Sequence, residues 1–220
     1  MELIHTLYEP RGDGPHPTLL ALHGWGANAL DLLGLAPYLG SGQWLMLCPQ
    51  GPLSTPIGAG LTGYGWFPLT LGGPPDLQAI FAARAQLLAF VDAALARYPV
   101  DRAKLVILGF SQGGVMAYSL ALHQPQRFAA LVALSTWLPP ELLEAAAPAA
   151  GPFPPILIQH GSRDELVDVA RARQAVETLR ARRLPVTYRE YDMGHEISPR
   201  SLADLSAWLH DKVLSPILLA

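Results

Sequence analysis

The sequence predicts an α/β fold with a mostly parallel, doubly wound sheet and helices on both of its faces. Short runs that are apolar throughout alternate along the chain with longer segments of helical periodicity. Strands that are apolar on both sides are typical of a parallel sheet that helices cover on both faces. No repeat, linker or change of composition divides the 220 residues, so we expect a single domain over residues 1–220.

The composition is that of a compact globular protein. Half of the residues are hydrophobic, 15% are charged and the formal net charge is −3. These values exclude an extensively disordered chain, and they give no basic surface for nucleic acid, so no nucleic-acid partner is expected. The one cysteine, Cys48, excludes an internal disulfide and fits a reducing compartment, which favours a cytoplasmic protein. Residues 1–10 carry no signal-peptide pattern, and polar residues interrupt the apolar segment 79–96, so no membrane span is expected.

The N-terminal part of the chain predicts three strands, a short helix and a long loop. Glu2–Tyr8 alternates loosely and predicts an edge strand, while Thr18–Leu22 and Trp44–Cys48 are apolar runs that predict buried strands. Asp31–Leu39 predicts a short helix. Gly51–Pro75 is rich in glycine and proline and is predicted as a loop, and a loop of this length in a compact domain is usually functional or disordered.

The rest of the chain alternates helices with strands. Asp76 predicts the N-cap of a helix that runs to about Arg97. Its inward stripe is predicted to be Leu77, Ile80, Phe81, Leu88, Val91 and Leu95. The further predicted strands are Leu105–Phe110, Phe128–Leu134, Ile156–Gln159 and Val186–Tyr191. The further predicted helices run from the serine turn to about His123, over Asp168–Arg183 and over Ser201–Val213. Thr136–Pro154 is predicted as a small excursion over the sheet.

One strand-to-helix turn carries a nucleophile pattern. The apolar run from Leu105 enters Gly109-Phe110-Ser111-Gln112-Gly113, and a helix of small residues leaves it. A Gly-x-Ser-x-Gly motif between a strand and a helix is typical of a nucleophile elbow, in which a strained turn exposes the serine hydroxyl. Glycines flank the serine because side chains there would collide with the neighbouring strand and helix. Ser111 is therefore a candidate nucleophile, and the alternative is a glycine-rich loop that only turns the chain.

A serine hydroxyl needs an adjacent base, and the base needs a carboxylate that holds it in one tautomer. In an open parallel sheet such groups collect beyond the carboxyl ends of the strands. Asp164 follows one predicted strand, in His160-Gly161-Ser162-Arg163-Asp164, and His195 follows the last strand, in Met193-Gly194-His195-Glu196. The order Ser111, Asp164, His195 is the one expected of an α/β-hydrolase, so these residues are the candidate catalytic triad.

Other acids and histidines in the sequence are alternatives to Asp164 and His195. Asp168 begins a predicted helix, where N-capping accounts for it, and Asp192 is so near His195 in sequence that the two side chains are not expected to face each other. His160 lies at a strand end, where we expect it to brace the loop. The histidines without any motif, expected to be surface or structural residues, are His5, His16, His123 and His210.

The tetrahedral intermediate of acyl transfer needs backbone N–H donors aimed at its oxyanion. The residue after the nucleophile normally supplies one of them, which here is Gln112. The second comes from a loop that follows an earlier strand, and His23-Gly24-Trp25-Gly26 occupies that place. The candidate oxyanion donors are therefore the backbone N–H groups of Trp25 and Gln112, with a core aromatic as the alternative for Trp25.

Taken together, these stretches make the sequence similar to the phospholipase/carboxylesterase family of α/β-hydrolases, which includes the acyl-protein thioesterases. The resemblance runs from about residue 17 to 212 and is closest to the bacterial carboxylesterase branch. The stretches that carry it are Leu22 to Asn28 followed by Asp31-Leu32-Leu33, Gly65-Trp66-Phe67-Pro68, Gly109 to Gly114, His160-Gly161 with Asp164, and Gly194-His195-Glu196-Ile197.

The resemblance implies a small α/β-hydrolase core with a minimal lid, no cofactor and no metal, which hydrolyses carboxylic esters. It implies Ser111 as the nucleophile, His195 as the general base and acid, and Asp164 as the residue that orients His195. The resemblance also places the oxyanion between the N–H groups of Trp25 and Gln112. Trp25 is bulkier than the residue common at that place in the family, which would narrow the acyl pocket.

Aromatic and aliphatic residues on the loops at the same sheet edge predict the substrate-binding walls, and filling of the core is the alternative for each. These residues are Trp25, Trp66, Phe67, Trp137, Leu138 and Met193. Such walls favour a small-molecule ester with an acyl group of short to medium length. The competing functions are a thioesterase, a lysophospholipase or a peptidase with the same triad, and a non-catalytic scaffold that binds a ligand. A homodimer is compatible with the sequence, which does not determine the oligomeric state.

Overall fold

The computed structural model describes residues 3–69, 73–145 and 152–215. The strands are β1 (His5–Tyr8), β2 (His16–Leu22), β3 (Leu45–Pro49), β4 (Leu53–Pro56), β5 (Thr62–Gly65), β6 (Val100–Phe110), β7 (Ala130–Leu134), β8 (Ile156–Gly161) and β9 (Val186–Tyr191). The α-helices are α1 (Leu77–Arg97), α2 (Gln112–His123), α3 (Pro140–Glu144), α4 (Val169–Ala181) and α5 (Pro199–Leu209).

Seven of these strands form one sheet in the order β1-β3-β2-β6-β7-β8-β9. β1 pairs antiparallel with β3, and every other pair in the sheet is parallel. The predicted α/β fold is therefore confirmed. The chain passes from β2 to β3 on one side and then crosses to β6 on the other side, so a topological switch point lies between β2 and β6. A crevice opens outside the carboxyl ends of the strands at such a point, and it is where α/β proteins bind their ligands.

The two faces of the sheet support two separate hydrophobic cores. Leu20 and Leu22 of β2 pack in the core that also contains buried residues of α1, α2 and α4. The intervening Leu19 and Ala21 point to the opposite face, where buried residues of α5 complete the second core. Because side chains alternate between faces along a strand, covering both faces requires every position to be apolar. This requirement accounts for the uninterrupted apolar runs in the sequence.

α1 begins as predicted and buries a stripe that is shifted from the predicted one. The carboxylate of Asp76 accepts the backbone N–H of Ala79 at 3.0 Å, so Asp76 is the N-cap. The buried residues are Ile80, Ala83, Leu87, Phe90, Val91 and Ala94, while the predicted Leu77, Phe81, Leu88 and Leu95 are only partly buried at the edges of the stripe. By length and composition alone α1 could cross a membrane, a test that a core helix also passes.

The segment predicted as a loop over Gly51–Pro75 contains a β-hairpin, which corrects the prediction. β4 and β5 pair antiparallel, and Ala27 forms a bridge to Tyr64 of β5. Gly63 and Gly65 are typical of loops in sequence, but here they are strand residues that approach other chain segments closely. A Cβ at Gly63 would collide with the backbone of Gly26, and a Cβ at Gly65 would collide with the ring of Trp25. Residues 70–72 of the predicted loop lie outside the described residues.

Several predicted boundaries also differ from the structure. The predicted helix Asp31–Leu39 is a 3₁₀ helix over Leu33–Tyr38 with Pro37 inside it. β6 begins at Val100, ahead of the predicted Leu105. The apolar pattern does not extend to this start, because most of the first residues of β6 are polar or charged and partly exposed. The last helix begins at Pro199 and ends in a π-helical turn over His210–Leu214. The predicted excursion after β7 contains α3. Residues 146–151 of the excursion and residues 1–2 beside the predicted edge strand lie outside the described part of the chain.

Candidate active site

Ser111 lies at the turn between β6 and α2 in a backbone conformation that residues with side chains rarely adopt. Its φ is 53° and its ψ is −122°. The Ser111 N–H donates to the carbonyl of Leu134 at 2.9 Å, and its carbonyl accepts the Gly114 N–H at 2.9 Å and the Thr136 hydroxyl at 2.6 Å. These three bonds stabilise the strained turn, and strain of this kind is concentrated at functional sites.

The glycines on either side of Ser111 are required by close packing. A Cβ at Gly109 would collide with the carbonyl of Gly113 in the first turn of α2. A Cβ at Gly113 would collide with the carbonyl of Leu22 at the end of the neighbouring strand β2. The helix therefore leaves the strand at a distance that only glycine permits, which is the steric reason given for the motif from the sequence.

The structure brings His195 and Asp164 into contact. His195 Nδ1 lies 2.8 Å from Asp164 Oδ2, and the Asp164 side chain is fully buried. The two loops that carry them pack directly against each other. A Cβ at Gly161 would collide with the carbonyls of Met193 and Gly194, so only glycine fits there. Ionised Asp164 accepts a hydrogen bond and cannot donate one, so His195 carries its proton on Nδ1. His195 Nε2 is then free to accept a proton.

Backbone donors hold the second oxygen of Asp164. Its Oδ1 accepts the N–H groups of Leu166 at 3.0 Å and Val167 at 2.8 Å. The two alternative acids are engaged elsewhere. Asp168 accepts the Ala170 N–H at 2.8 Å as the N-cap of α4, and the exposed Asp192 pairs with Arg163 at 2.7 Å.

Ser111 and His195 line one cleft of about 910 Å³ at the carboxyl edge of the sheet. This volume lies within the usual range for a small-molecule site. Phe110, which precedes the serine, also lines the cleft, and its ring lies 4.8 Å from the His195 imidazole, measured between centroids. The aromatic contact limits rotation of the imidazole, so His195 is held from one side by the Phe110 ring and at Nδ1 by Asp164.

The loop after β2 lies directly beside Ser111. A Cβ at Gly24 would be 3.3 Å from the Cβ of Ser111, so the loop backbone approaches Ser111 closely. His23 is buried and braces this loop: its Nδ1 donates to the Gly24 carbonyl at 2.7 Å, and its Nε2 accepts the Gly51 N–H at 3.0 Å. Burial lowers the pKa of His23, and the bonds at both nitrogens suit the neutral ring. His23 is therefore a structural part of the site.

The two candidate oxyanion donors are the backbone N–H groups of Trp25 and Gln112. Within residues 3–69, 73–145 and 152–215, neither the Trp25 N–H nor the Gln112 N–H has a hydrogen-bond acceptor. Gln112 is the first residue of α2, where N–H groups have no partner inside the helix and the helix dipole favours negative charge. Both groups are therefore available to a developing oxyanion beside Ser111.

The predicted wall residues divide into two groups. Trp25, Phe67, Trp137 and Leu138 line the cleft. Trp66 and Met193 are placed elsewhere: both are almost fully buried, and the cleft lining does not include them. The Trp66 indole donates to the His23 carbonyl at 2.9 Å and lies against the His23 ring, with centroids 5.1 Å apart. Trp66 therefore supports the loop after β2 from behind.

Polar side chains also line the cleft. Glu141 of α3 and Arg171 and Gln174 of α4 are among them, and the Arg171 guanidinium lies 6.0 Å over the Trp137 ring. The cleft thus has both aromatic and polar lining residues. Across the residues that the structure describes, no group of three His, Cys, Asp or Glu side chains could hold a metal ion.

Comparison with known proteins identifies the family. The family model for phospholipases and carboxylesterases matches residues 7–212. The chain belongs to the phospholipase/carboxylesterase family. This membership makes it a carboxylic ester hydrolase and confirms the resemblance seen in the sequence.

Among similar proteins, a probable carboxylesterase (SOBER1-like) of Arabidopsis thaliana is 28% identical over 79% of this chain and 68% of its own length. Acyl-protein thioesterase 1 of Mycosarcoma maydis is 25% identical over 97% of this chain and 99% of its own. The crystal structure of esterase PE8 superposes with a TM-score of 0.84 at 27% identity and covers 96% of this chain and 100% of its own.

One functional side chain of this phospholipase/carboxylesterase family member was missed by sequence reasoning. The sequence predicts the Gln112 backbone N–H as an oxyanion donor. In the structure the fully buried Gln112 side chain also binds the segment that follows β5. Gln112 Oε1 accepts the Trp66 N–H at 2.8 Å, and its Nε2 donates to the Phe67 carbonyl at 2.6 Å. The signal available in the sequence was a glutamine at the start of an otherwise apolar helix, where a buried amide needs partners.

Proposed function

We propose that this protein is a serine carboxylesterase that hydrolyses short- to medium-chain carboxylic esters through an acyl-enzyme intermediate. The observation that carries the proposal is the 2.8 Å bond between His195 Nδ1 and the buried Asp164, in the cleft that Ser111 also lines. Ser111 is the nucleophile, His195 the general base and acid, and Asp164 the residue that orients His195.

The proposed reaction has two halves. His195 Nε2 takes the hydroxyl proton as Ser111 Oγ attacks the ester carbonyl, and the resulting oxyanion accepts the N–H groups of Trp25 and Gln112. His195 then gives the proton to the departing alcohol, which leaves an acyl group on Ser111. Water, activated by His195, attacks the acyl carbonyl, and Ser111 departs with its proton restored, releasing the carboxylic acid.

The shape of the cleft supports the acyl preference. Trp25 and Phe67 form an aromatic wall near Ser111, and this wall suits an apolar acyl group of short to medium length. Trp25 remains 37% exposed, so its ring stands at the mouth of the cleft. A series of nitrophenyl esters tests this point, with a maximum of kcat/KM expected at short to medium chains. A preference for long acyl chains would contradict it.

A thioester is the second candidate substrate, because one of the relatives is named an acyl-protein thioesterase. The same triad would cleave an ester, a thioester, a lysophospholipid or a peptide bond, so the residues at the reaction centre do not distinguish them. A panel of matched esters, thioesters, lysophospholipids and amides decides between them. We expect the highest kcat/KM for the esters.

A fluorophosphonate probe tests the nucleophile independently of substrate choice. Wild-type protein is expected to be labelled on Ser111, and Ser111→Ala is expected to lose both labelling and turnover while it stays folded. Ser162→Ala is a matched control, because Ser162 lies on the loop that carries Asp164 and its hydroxyl binds the Tyr191 carbonyl at 3.1 Å. A folded wild type that resists labelling would favour a non-catalytic scaffold.

The remaining expectations belong to the same proposal. The enzyme acts on a small-molecule ester without a cofactor or metal, and it works in the cytoplasm as one α/β-hydrolase domain over residues 1–220 with a minimal lid. Dialysis against a chelator is expected to leave ester hydrolysis unchanged. Light scattering of the purified protein measures whether it is a monomer or a homodimer.

A further inference from the structure

We propose that His160 is a positioning residue that fixes the Asp164 carboxylate for its contact with His195. This inference rests on the proposed function, because it assigns a second histidine to the support of the same Asp164–His195 pair. His160 is fully buried at the carboxyl end of β8, four residues before Asp164. Neither the nucleophile motif nor the mechanism uses it.

The ring of His160 faces two oxygen acceptors through one nitrogen. His160 Nε2 lies 2.7 Å from the carbonyl oxygen of Val167 and 3.3 Å from Asp164 Oδ2. Both oxygens accept hydrogen bonds, so Nε2 must carry a proton. The Nε2–H of His160 therefore donates to the Val167 carbonyl, and the same edge of the ring lies beside the carboxylate of Asp164.

The other ring nitrogen shows which form of His160 suits the site. His160 Nδ1 is buried and has no hydrogen-bond partner within the described part of the chain. A doubly protonated ring would bury an unpartnered N–H there, which is unfavourable. The neutral ring with its proton on Nε2 leaves only an acceptor without a partner at Nδ1, so His160 acts as a donor through Nε2.

His160 closes a ring of contacts around Asp164. It holds the Val167 carbonyl, and the N–H of the same Val167 donates to Asp164 Oδ1 at 2.8 Å. Asp164 Oδ2 lies between two imidazoles, with His195 Nδ1 at 2.8 Å and His160 Nε2 at 3.3 Å. Rotation of the carboxylate away from His195 would break its contacts with the loop backbone and with His160 together. His160 thereby restricts Asp164 to the orientation that His195 needs.

The test uses two amides that place a donor at different positions. His160→Gln puts an amide nitrogen near the place of Nε2, whereas His160→Asn reaches only to the place of Nδ1. We expect His160→Asn to lower kcat of ester hydrolysis by about 10- to 100-fold, with KM nearly unchanged. The substitution leaves the buried Val167 carbonyl without its donor and removes the N–H beside Asp164, and the loss of a buried hydrogen-bond partner is worth about that range. His160→Gln is expected to restore kcat to within about threefold of wild type, because it restores the donor.

A matched control separates positioning from general packing. His16 is also buried, and its Nε2 has no hydrogen-bond partner among the residues that the structure describes, but it lies at the start of β2, away from the carboxyl edge of the sheet. His16→Asn is expected to lower stability and leave kcat at the wild-type value. His160→Met keeps the volume and is used where His160→Asn does not fold. Both variants are termed donor-free, because neither has a donor at the place of Nε2.

Proton NMR of the His195 Nδ1–H gives a readout that does not need turnover. This proton, bound to a carboxylate, is expected downfield in wild type and in His160→Gln, and shifted or broadened in the donor-free variants. An unchanged resonance and unchanged kcat in a folded donor-free variant would overturn the inference, as would an equal loss in His160→Gln. A wild type that cleaves no ester and resists the fluorophosphonate would overturn the proposed function instead, and the NMR comparison would still test His160.

Discussion

The side-chain Oε1 of Gln112 accepts the backbone N–H of Trp66 at 2.8 Å. This bond joins the residue after the proposed nucleophile to the segment that follows the β4–β5 hairpin. The indole of Trp66 in turn donates to the His23 carbonyl, next to the loop that carries Trp25. The two candidate oxyanion donors, the N–H groups of Trp25 and Gln112, are thus held by one connected set of buried hydrogen bonds.

Replacing Gln112 with methionine should therefore damage stability and activity together. Gln112→Met keeps the backbone N–H but leaves the Trp66 N–H and the Phe67 carbonyl buried without partners. Each lost partner costs about 1–3 kcal/mol, so we expect the free energy of unfolding to fall by about 2–6 kcal/mol, measured by urea denaturation. Gln174→Met, an exposed substitution in the same cleft, is the control and should change stability by less than about 0.5 kcal/mol.

The assignment of Asp164 as the acid predicts a large effect of a small change. In Asp164→Asn the amide can donate to His195 Nδ1, which would place the imidazole proton on Nε2 and block its action as a base. We expect kcat to fall by about 10⁴-fold with the fold intact. Asp168→Asn keeps an N-cap side chain and should retain wild-type kcat. Loss of activity in Asp168→Asn with survival in Asp164→Asn would reverse the assignment.

Because His23 is buried, we expect the free energy of unfolding to decrease as the pH is lowered below neutrality. Burial lowers its pKa from 6.5, so the unfolded chain binds the proton more readily than the folded protein does. The stabilising contribution is complete above pH 6.5 and is lost as pH falls toward the lowered pKa of the folded state. Urea unfolding between about pH 7.5 and 5.5 measures the slope of stability against pH.

A second histidine contributes to the same slope. Burial, with Arg84 nearby, also lowers the pKa of His123 at the end of α2. His23→Gln and His123→Gln should each flatten the dependence of the unfolding free energy on pH, and the double variant should be flatter than either. An unchanged slope in His23→Gln would contradict the role of its burial.

The close approach of α2 to β2 makes Gly113 intolerant of any side chain. Gly113→Ala would drive a methyl group into the Leu22 carbonyl, so we expect at least about 3 kcal/mol of destabilisation and a displaced elbow. Gly34→Ala is the matched control, since a Cβ there meets nothing within 4 Å. Thermal unfolding of the two variants should separate them clearly, and equal melting temperatures would argue against the described approach.

The Trp25 ring predicts a specificity change that leaves the chemistry in place. Trp25→Ala removes a wall at the mouth of the cleft but keeps the backbone N–H. The optimum of the nitrophenyl ester series should move to longer acyl chains, with kcat for the short esters within about tenfold of wild type. Tyr38→Ala, an exposed aromatic outside the cleft lining, should leave the chain-length profile unchanged.

The inner strands of the central sheet could be predicted because they contain runs that are apolar at every position, such as residues 19–22 and 45–48. Leu19 and Leu20 face opposite cores, and such a pattern has few other structural explanations. The hairpin could not be predicted, because Gly63 and Gly65 have the composition of a loop, and the reason for their presence is a contact with Gly26 and Trp25 far away in sequence. The start of β6 was missed because its first residues are polar and partly exposed.

The candidate site shows the same division. Ser111, Asp164 and His195 could be predicted because each follows a strand, and the carboxyl ends of parallel strands meet at one edge. The roles of Trp66 and of the Gln112 side chain depend on partners that are distant in sequence. Gln112 and Trp66, for example, are 46 residues apart, and no local sequence pattern encodes such a pair. The contact of His160 with Asp164 depends on the path of the loop between them, which spacing alone does not define.

The strained backbone of Ser111 makes the proposed nucleophile a reporter of folding. Its positive φ is held by bonds to Leu134, Gly114 and Thr136, and two of these partners lie on or just after the neighbouring strand β7. An unfolded chain has neither the turn nor the base, so a fluorophosphonate should react only with native molecules. The yield of a brief labelling pulse at increasing urea would then count the folded population directly, and this count would need no spectroscopic signal from the protein.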